Sequence, residues 1–152
     1  MSHNVNVYSF NINDVESFEK ARQIRDKVFV LEQEVNRSDE FDEFEGICTH
    51  YLLEIDGKTA GTARWREKDE KVKLERFAVY REFRNKGYGD VLLKKVIEDA
   101  LKTGMDLYMH AQLKAIPFYE RRGFQKVGAQ FSECDIEHYR MELKNHKSIT
   151  TY

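Results

Sequence analysis

Arg84-Asn85-Lys86-Gly87-Tyr88-Gly89 joins an apolar strand ending in Phe77-Ala78-Val79 to a stretch with helical periodicity from Leu92 onward. That order of elements builds an anion site. Loop N–H groups converge, glycine allows close backbone approach, and a helix N-terminus adds partial positive charge. Arg84 and Lys86 bring mobile cations to the same loop. The third glycine of a dinucleotide fingerprint is missing, and so is the lysine–serine pair of a phosphate loop. A plain glycine turn into a helix is the alternative reading. Elsewhere, Asp39 to Glu45 holds five acids and no base, read either as a rim that attracts a cationic amine or as a solvated loop in which Asp42 or Glu40 pairs with Arg25. The histidines on the expected strands are too scattered for a metal site, so no metal is expected. Cys48 and Cys134 have neither metal nor redox spacing and read as free, packing thiols.

The elements that must position these residues follow from periodicity. Val5–Phe10 reads as a strand, and Asn13 or Asp14 caps the next helix. Val15, Phe18, Ala21, Ile24, Val28 and Leu31 form one apolar stripe, which predicts a helix of four to five turns. Residues 36–46 lose periodicity and read as a loop or short helix. His50–Ile55 and Thr59–Arg66 flank Asp56-Gly57-Lys58, a hairpin signal. Val72–Val79 is a strand; strict alternation puts Val72, Leu74, Arg76 and Ala78 on one face, and Lys73, Glu75, Phe77 and Val79 on the other. A helix ending at Gly104, a strand Asp106–Ala111, and a helix from about Leu113 to Arg122 with Pro117 in its first turn come next. Strands Gln125–Val127 and Ile136–Leu143 complete the order. The fold class is α/β with a mixed sheet, since hairpin-linked strands run antiparallel and helix-linked strands parallel. The chain reads as a single domain over 1–152, with a core at about 5–143 and a polar tail over 144–152.

Arg84-x-x-Gly87-x-Gly89 resembles motif A of the GNAT N-acetyltransferase superfamily. Thirty residues on, Phe118-Tyr119-x-x-x-Gly123-Phe124 is similar to the second signature of that family, and Gln112-x-x-Ala115 stands where Asn-x-x-Ala is usual. Ile24-Arg25-x-x-Val28-Phe29-x-x-Glu32-Gln33, Gly61-Thr62-Ala63-Arg64 and His110-Ala111-Gln112 resemble the ElaA-like subgroup more narrowly. A fainter likeness to acyl-homoserine-lactone synthases, in Arg25…Phe29…Glu40-x-Asp42, is confined to the N-terminal third. The main resemblance covers roughly Ile12 to Leu143. It implies a GNAT-type fold: a central, mixed and mostly antiparallel sheet of about seven strands, splayed at strands 4 and 5 and flanked by about four helices.

The resemblance also implies acetyl-CoA as co-substrate and direct attack of a small-molecule or peptide amine on its thioester. The backbone of Phe77, Ala78 and Val79 would hold the pantetheine arm and polarise the acetyl carbonyl. The amides of Arg84, Asn85, Lys86, Gly87, Tyr88 and Gly89 would cradle the pyrophosphate. Gln112 and Phe118 would complete the cofactor site, with Lys114, Arg121 or Arg122 toward the 3′-phosphate. Tyr119 is the candidate acid, because a phenol with an ordinary pKa of about 10 can protonate a departing thiolate at neutral pH. Glu75, read as facing the same side as Phe77 and Val79, is the candidate base; a carboxylate merely paired with Arg64 or Arg66 is the other reading. His110 and His138 can play the same part. A non-catalytic CoA-binding sensor and a lactone synthase are the rival functions.

Composition narrows the partners. Twenty-five Lys+Arg against 27 Asp+Glu leave a net charge of −2, which excludes a bulk polyelectrolyte partner such as nucleic acid. That balance hides asymmetry, since Arg81 to Lys102 holds six bases against four acids. No apolar run is long enough to span a membrane and Met1-Ser2-His3-Asn4 lacks signal-peptide character, so a cytoplasmic monomer or homodimer is expected.

Overall fold

A computed structural model describes residues 3–145. Seven strands form one sheet: β1 (Val5–Phe10), β2 (Thr49–Ile55), β3 (Lys58–Lys68), β4 (Lys71–Val79), β5 (Leu107–Gln112), β6 (Gln125–Glu133) and β7 (Ile136–Leu143). Their spatial order is β1-β2-β3-β4-β5-β7-β6, and only β4 and β5 run parallel. The α-helices are α1 (Val15–Arg25), α2 (Arg37–Glu40), α3 (Tyr88–Leu101) and α4 (Ile116–Glu120). The expected mixed sheet and its four helices are therefore present.

Local chemistry explains the well-predicted elements. The Asp14 carboxylate accepts the Ser17 N–H at 3.1 Å and starts α1. Asp56 and Gly57, both at positive φ, make the tight turn between β2 and β3. One core packs α3 and α4 on the sheet through Leu53, Leu74, Leu92, Leu93, Val96 and Phe124. A second, smaller core seats α1 on the other face through Phe10, Ala21, Ile24, Phe29, Leu52 and Ala78.

Three sequence expectations are corrected. The stripe read as one long helix ends at Arg25, and Asp26–Glu32 is π-helical, with the Gln33 N–H reaching the Val28 carbonyl at 3.1 Å. The wider turn rotates the apolar face, so Phe29 enters the core while Leu31 is 65% exposed. β6 does not stop at Val127 but runs to Glu133, closing on β7 through Cys134 and Asp135, both at positive φ. Asn145, expected in a frayed tail, is buried. Its Nδ2 donates to the carbonyls of Leu101 and Met105 at 2.9 and 3.0 Å, tying down the end of α3. The rest of that expected tail, 146–152, lies outside the described residues.

The functional consequence of the topology lies between β4 and β5. Their pairing covers only Val72–Leu74 with Leu107–Met109. Beyond it, β4 stays on β3 while β5 stays on β7 as far as Gln112↔His138. The sheet splays in its middle, and a wedge opens there.

Candidate active site

A cavity of about 440 Å³ occupies the wedge. Phe77, Met109 and Tyr119 line it from the α3 side, while Arg66, Lys73, Glu75, His110 and Glu133 line it from the α1 side.

A bulge decides which side Glu75 is on. Arg64 pairs with Glu75 and Thr62 with Ala78, so Arg76 and Phe77 together oppose Ala63. Arg76 sits at φ 60°, and the extra residue inverts the alternation of the strand. Leu74 and Phe77 consequently share the α3 face, and Ala78 joins the core under α1. Val79 also turns toward α3, with a methyl close to Gly89. Glu75 therefore lies on the face opposite Phe77 and Val79, contrary to the simple alternation. A left-handed residue with a side chain costs about 1–2 kcal/mol. Ion pairs from Arg76 to Glu40 at 3.1 Å and Asp42 at 3.2 Å offset that cost.

On the α3 side the site is aromatic. Tyr119 is 8% exposed, and its ring meets Phe77, Phe118 and Phe124 edge-on at 5.2–6.1 Å between centroids. Burial alone pushes its phenol well above the ordinary value, so it stays protonated. Gly87, at φ 84°, begins α3, and no side chain caps that helix. The loop side chains turn away from it. Arg84 donates from Nε to the Val79 carbonyl at 2.8 Å and pairs with Glu32 at 3.0 Å; Lys86 donates to the Glu82 carbonyl at 3.1 Å. Backbone amides, with Asn85 also at positive φ, are thus left to meet an anion. Phe118 packs over Gly89, and Arg122 donates from Nε to Asp90 at 2.7 Å, which joins α4 to α3. Lys114 lines the cavity.

On the α1 side the site is ionic. Arg25 bonds Glu40 at 2.8 Å and Glu45 at 2.7 Å; Arg64 bonds Asp42 at 2.7 Å and Glu45 at 2.8 Å. Glu40 is 3% exposed. The acidic run is accordingly not a free acidic rim: the expected pairing of Glu40 with Arg25 is present, Asp42 pairs with Arg64 and Arg76, and Glu45 with Arg25 and Arg64. Three of its five carboxylates are thus ion-paired, while Asp39 and Glu43 are exposed. Asp42 is pulled down to about 2: burial opposes ionisation, but Arg64, the Phe44 N–H and Arg76 outweigh it. Glu75 bonds Arg66 at 2.9 Å, Arg64 at 3.1 Å and Lys73 at 3.2 Å. Burial raises its carboxyl, yet Arg64, Lys73, Arg76 and Arg66 together hold it below the usual range, which makes it a weak base. Cys48, buried beside this network, is pushed up to about 11 and is not a nucleophile at neutral pH.

Two groups escaped the sequence reading. Glu133, on the unexpected length of β6, faces His110 Nδ1 at 3.1 Å and is drawn down to about 2, chiefly by that imidazole. His138 lies 3.9 Å from the same carboxylate, and Phe131 stacks on it. Gln33, at the end of the π-helical segment, accepts from Gln112 Nε2 at 2.8 Å. A period-2 pattern continuing to Glu133 was masked by Gly128, the only available signal for the first. Among the described residues no helix is long and apolar enough to cross a membrane, and no group of three His, Cys, Asp or Glu side chains can hold a metal ion.

The acetyltransferase (GNAT) domain model matches residues 15–145. YjcF of Bacillus subtilis, an uncharacterized N-acetyltransferase, is 34% identical over 128 residues, covering 83% of this chain and 91% of its own. Escherichia coli ElaA has the same fold, with a TM-score of 0.82 at 24% identity over 91% of this chain and 99% of that one. An acyl-CoA N-acyltransferase from Pseudomonas aeruginosa also reaches 0.82, at 23% identity over 91% and 99%. The matched span takes in the wedge, the uncapped glycine loop and Tyr119 together, and by it the chain belongs to the GNAT acetyltransferases, a family of acyltransferase enzymes.

Proposed function

We propose that this enzyme moves the acetyl group of acetyl-CoA to a primary amine of a small molecule or peptide in the cytoplasm. One observation carries the reading: the wedge opens to both faces of the sheet, with a protonated phenol on one and an imidazole–carboxylate pair on the other. The residues present fit the donor. The uncapped start of α3 and the space above Gly87 suit its phosphates, received by amides from Asn85 to Gly89, since the Arg84 N–H already donates to the Arg81 carbonyl at 3.1 Å. The β4 edge at Phe77, Ala78 and Val79, unpaired toward β5, offers N–H donors to the pantetheine arm and the acetyl oxygen. Gln112, donating to Gln33, keeps its own carbonyl oxygen for a pantetheine N–H, and Phe118 closes the site over Gly89.

The acceptor arrives as an ammonium ion. His110 takes its first proton: Glu133 accepts the Nδ1–H, which leaves Nε2 as the basic nitrogen. The amine lone pair forms the C–N bond at the acetyl carbon, the C–S bond breaks, and its electron pair leaves on sulfur. Tyr119 protonates that sulfur and regains a proton through the cavity as the new amide nitrogen loses its second. One proton per turnover goes to solvent. Glu75 keeps its charge and orients Arg66 and Lys73.

Thiol release from acetyl-CoA in the presence of primary amines tests the reading. His110→Gln should lower kcat/KM by about 10²–10⁴-fold. No falling limb should appear below about pH 10, because burial raises Tyr119 above its ordinary value. Tight CoA binding without release in the presence of any amine would favour the sensor instead.

A further inference from the structure

On the α1 side two cations that face the cavity, Arg66 and Lys73, have fewer ion pairs than the arginines behind them. Arg25, Arg64, Arg66, Lys73 and Arg76 are linked to only four carboxylates, Glu40, Asp42, Glu45 and Glu75. Arg25, Arg64 and Arg76 each bond two or more of them. At ion-pair distance Arg66 and Lys73 have Glu75 alone, which they share with Arg64, while Lys73 also interacts with the Glu133 carboxylate.

Arg66 is the sharper case. It is 7% exposed, its guanidinium carbon lies 3.8 Å from the centroid of the Phe44 ring, and only its Nε is hydrogen-bonded, to Glu75. Its two terminal amino groups make no hydrogen bond to any described residue, and neither is sealed from the cavity. These terminal donors are left open to the cavity for water or a ligand to meet. A planar oxyanion accepts two parallel N–H bonds from that fork. Lys73, 9% exposed and opposite Arg66 in register, adds a second cation to the same place.

This place is not where the phosphates of CoA bind in the proposed site. Lys73 precedes Val79 by six residues, roughly 20 Å along a strand. It also lies on the opposite face of the sheet from Val79 and α3. The other end of the α1-side wall is anionic. Tyr108 pairs with Lys73 in register, and His110, two residues on, is backed by Glu133. Tyr108, Glu133, His138, Arg140 and Lys73 are the titratable or charged groups around that imidazole.

We infer that the acceptor is an amine that also carries a carboxylate, which docks on Arg66 and Lys73 while its ammonium group faces His110 and Glu133. The inference rests on the acetyl-transfer reading for its chemistry, not for the anion site itself. A polyamine would leave the Arg66 fork unmet and place like charge beside it. A zwitterion is oriented from both ends.

The test compares β-alanine, γ-aminobutyrate and the α-amino acids with their amides, and with spermidine and O-phosphoethanolamine, as acceptors for the full chain with acetyl-CoA. The carboxylate-bearing amine should exceed its own amide at least tenfold in kcat/KM. Arg66→Gln should bring that ratio close to one, chiefly through KM, and Arg66→Lys should restore part of it, separating lost recognition from lost folding. Equal or better use of the amides or spermidine overturns the inference, and so does a preference for O-phosphoethanolamine over β-alanine. Calorimetric titration of the same compounds into CoA-saturated protein separates the two readings. Binding that Arg66→Gln abolishes, without turnover, supports the anion site and sinks acetyl transfer. Neither binding nor turnover with any amino carboxylate overturns the anion site.

Discussion

The two faces of the sheet meet one wedge with opposite chemistry. On the α3 side Tyr119 is surrounded by Phe77, Phe118 and Phe124, and dryness keeps its proton in place. On the α1 side Arg25, Arg64 and Arg76 bind Glu40, Asp42 and Glu45; the pairs hold the Asp42 and Glu45 carboxyls below their ordinary values, whereas burial outweighs them at Glu40 and raises it. A neutral acid needs an apolar wall, whereas a rigid ionised wall needs saturated pairs. Saturation also removes basicity. Glu75, caged by three cations, is a weaker base than its place beside the cavity suggests. In the proposed mechanism the imidazole at the rim moves the proton instead.

Arg64→Ala attacks the ionic face at its centre. It would take one cation from each of Asp42, Glu45 and Glu75, leaving them to Arg76, to Arg25, and to Arg66 and Lys73, and should lower stability by about 3–5 kcal/mol in denaturant unfolding. A smaller loss would mean that the network is wetter than its burial implies. Gly87→Val tests the loop that serves the aromatic face. No protein atom lies within 4 Å of the added carbon, so the effect should fall on the backbone and the ligand. Strain of about 1–3 kcal/mol at positive φ, together with blocked approach, should weaken CoA by about 100-fold in calorimetry. Tyr119→Phe keeps the packing and removes the proton. Turnover should fall about ten- to a thousandfold while CoA affinity holds, and unchanged turnover would remove the acid from that face.

The smallest effect is on acid stability. Asp42 and Glu133 are both held near about 2, below their ordinary values of 3.8 and 4.5. Depressed carboxyls stabilise the fold above their unfolded pKa values, and that contribution disappears as pH falls through the folded ones. Wild-type Tm should therefore drop between about pH 4 and 2, and Asp42→Asn should flatten that fall relative to wild type. An equally steep fall in the variant would place the acid-labile groups elsewhere.

Much of the site was legible because it is local. Arg84 to Gly89 and Phe118 to Phe124 are short segments whose geometry depends on neighbouring residues: a positive φ, an uncapped helix start, an aromatic pair one turn from a glycine stop. The hairpin at Asp56-Gly57 and the apolar face of α3 were readable for the same reason. The boundaries that failed are those where distant contacts overrule the local period. The π-helical turn at Asp26–Glu32 puts Phe29 in the core, and Gly128 concealed a strand that needs β7 to exist.

The sequence by itself determined the fold class, the glycine loop that opens α3 and the place of the phenol, since hydrophobic period and turn chemistry act over a few residues. Tertiary structure alone decided what surrounds them. The bulge at Arg76 is held by pairs to Glu40 and Asp42, more than thirty residues away, and that single extra residue moved Glu75 from the Phe77 face to the other. His110 meets Glu133 across 23 positions, through two strands that only the sheet brings together. No periodicity carries such information, because each is a balance of charge, burial and backbone strain that is struck only when the distant partners are in place.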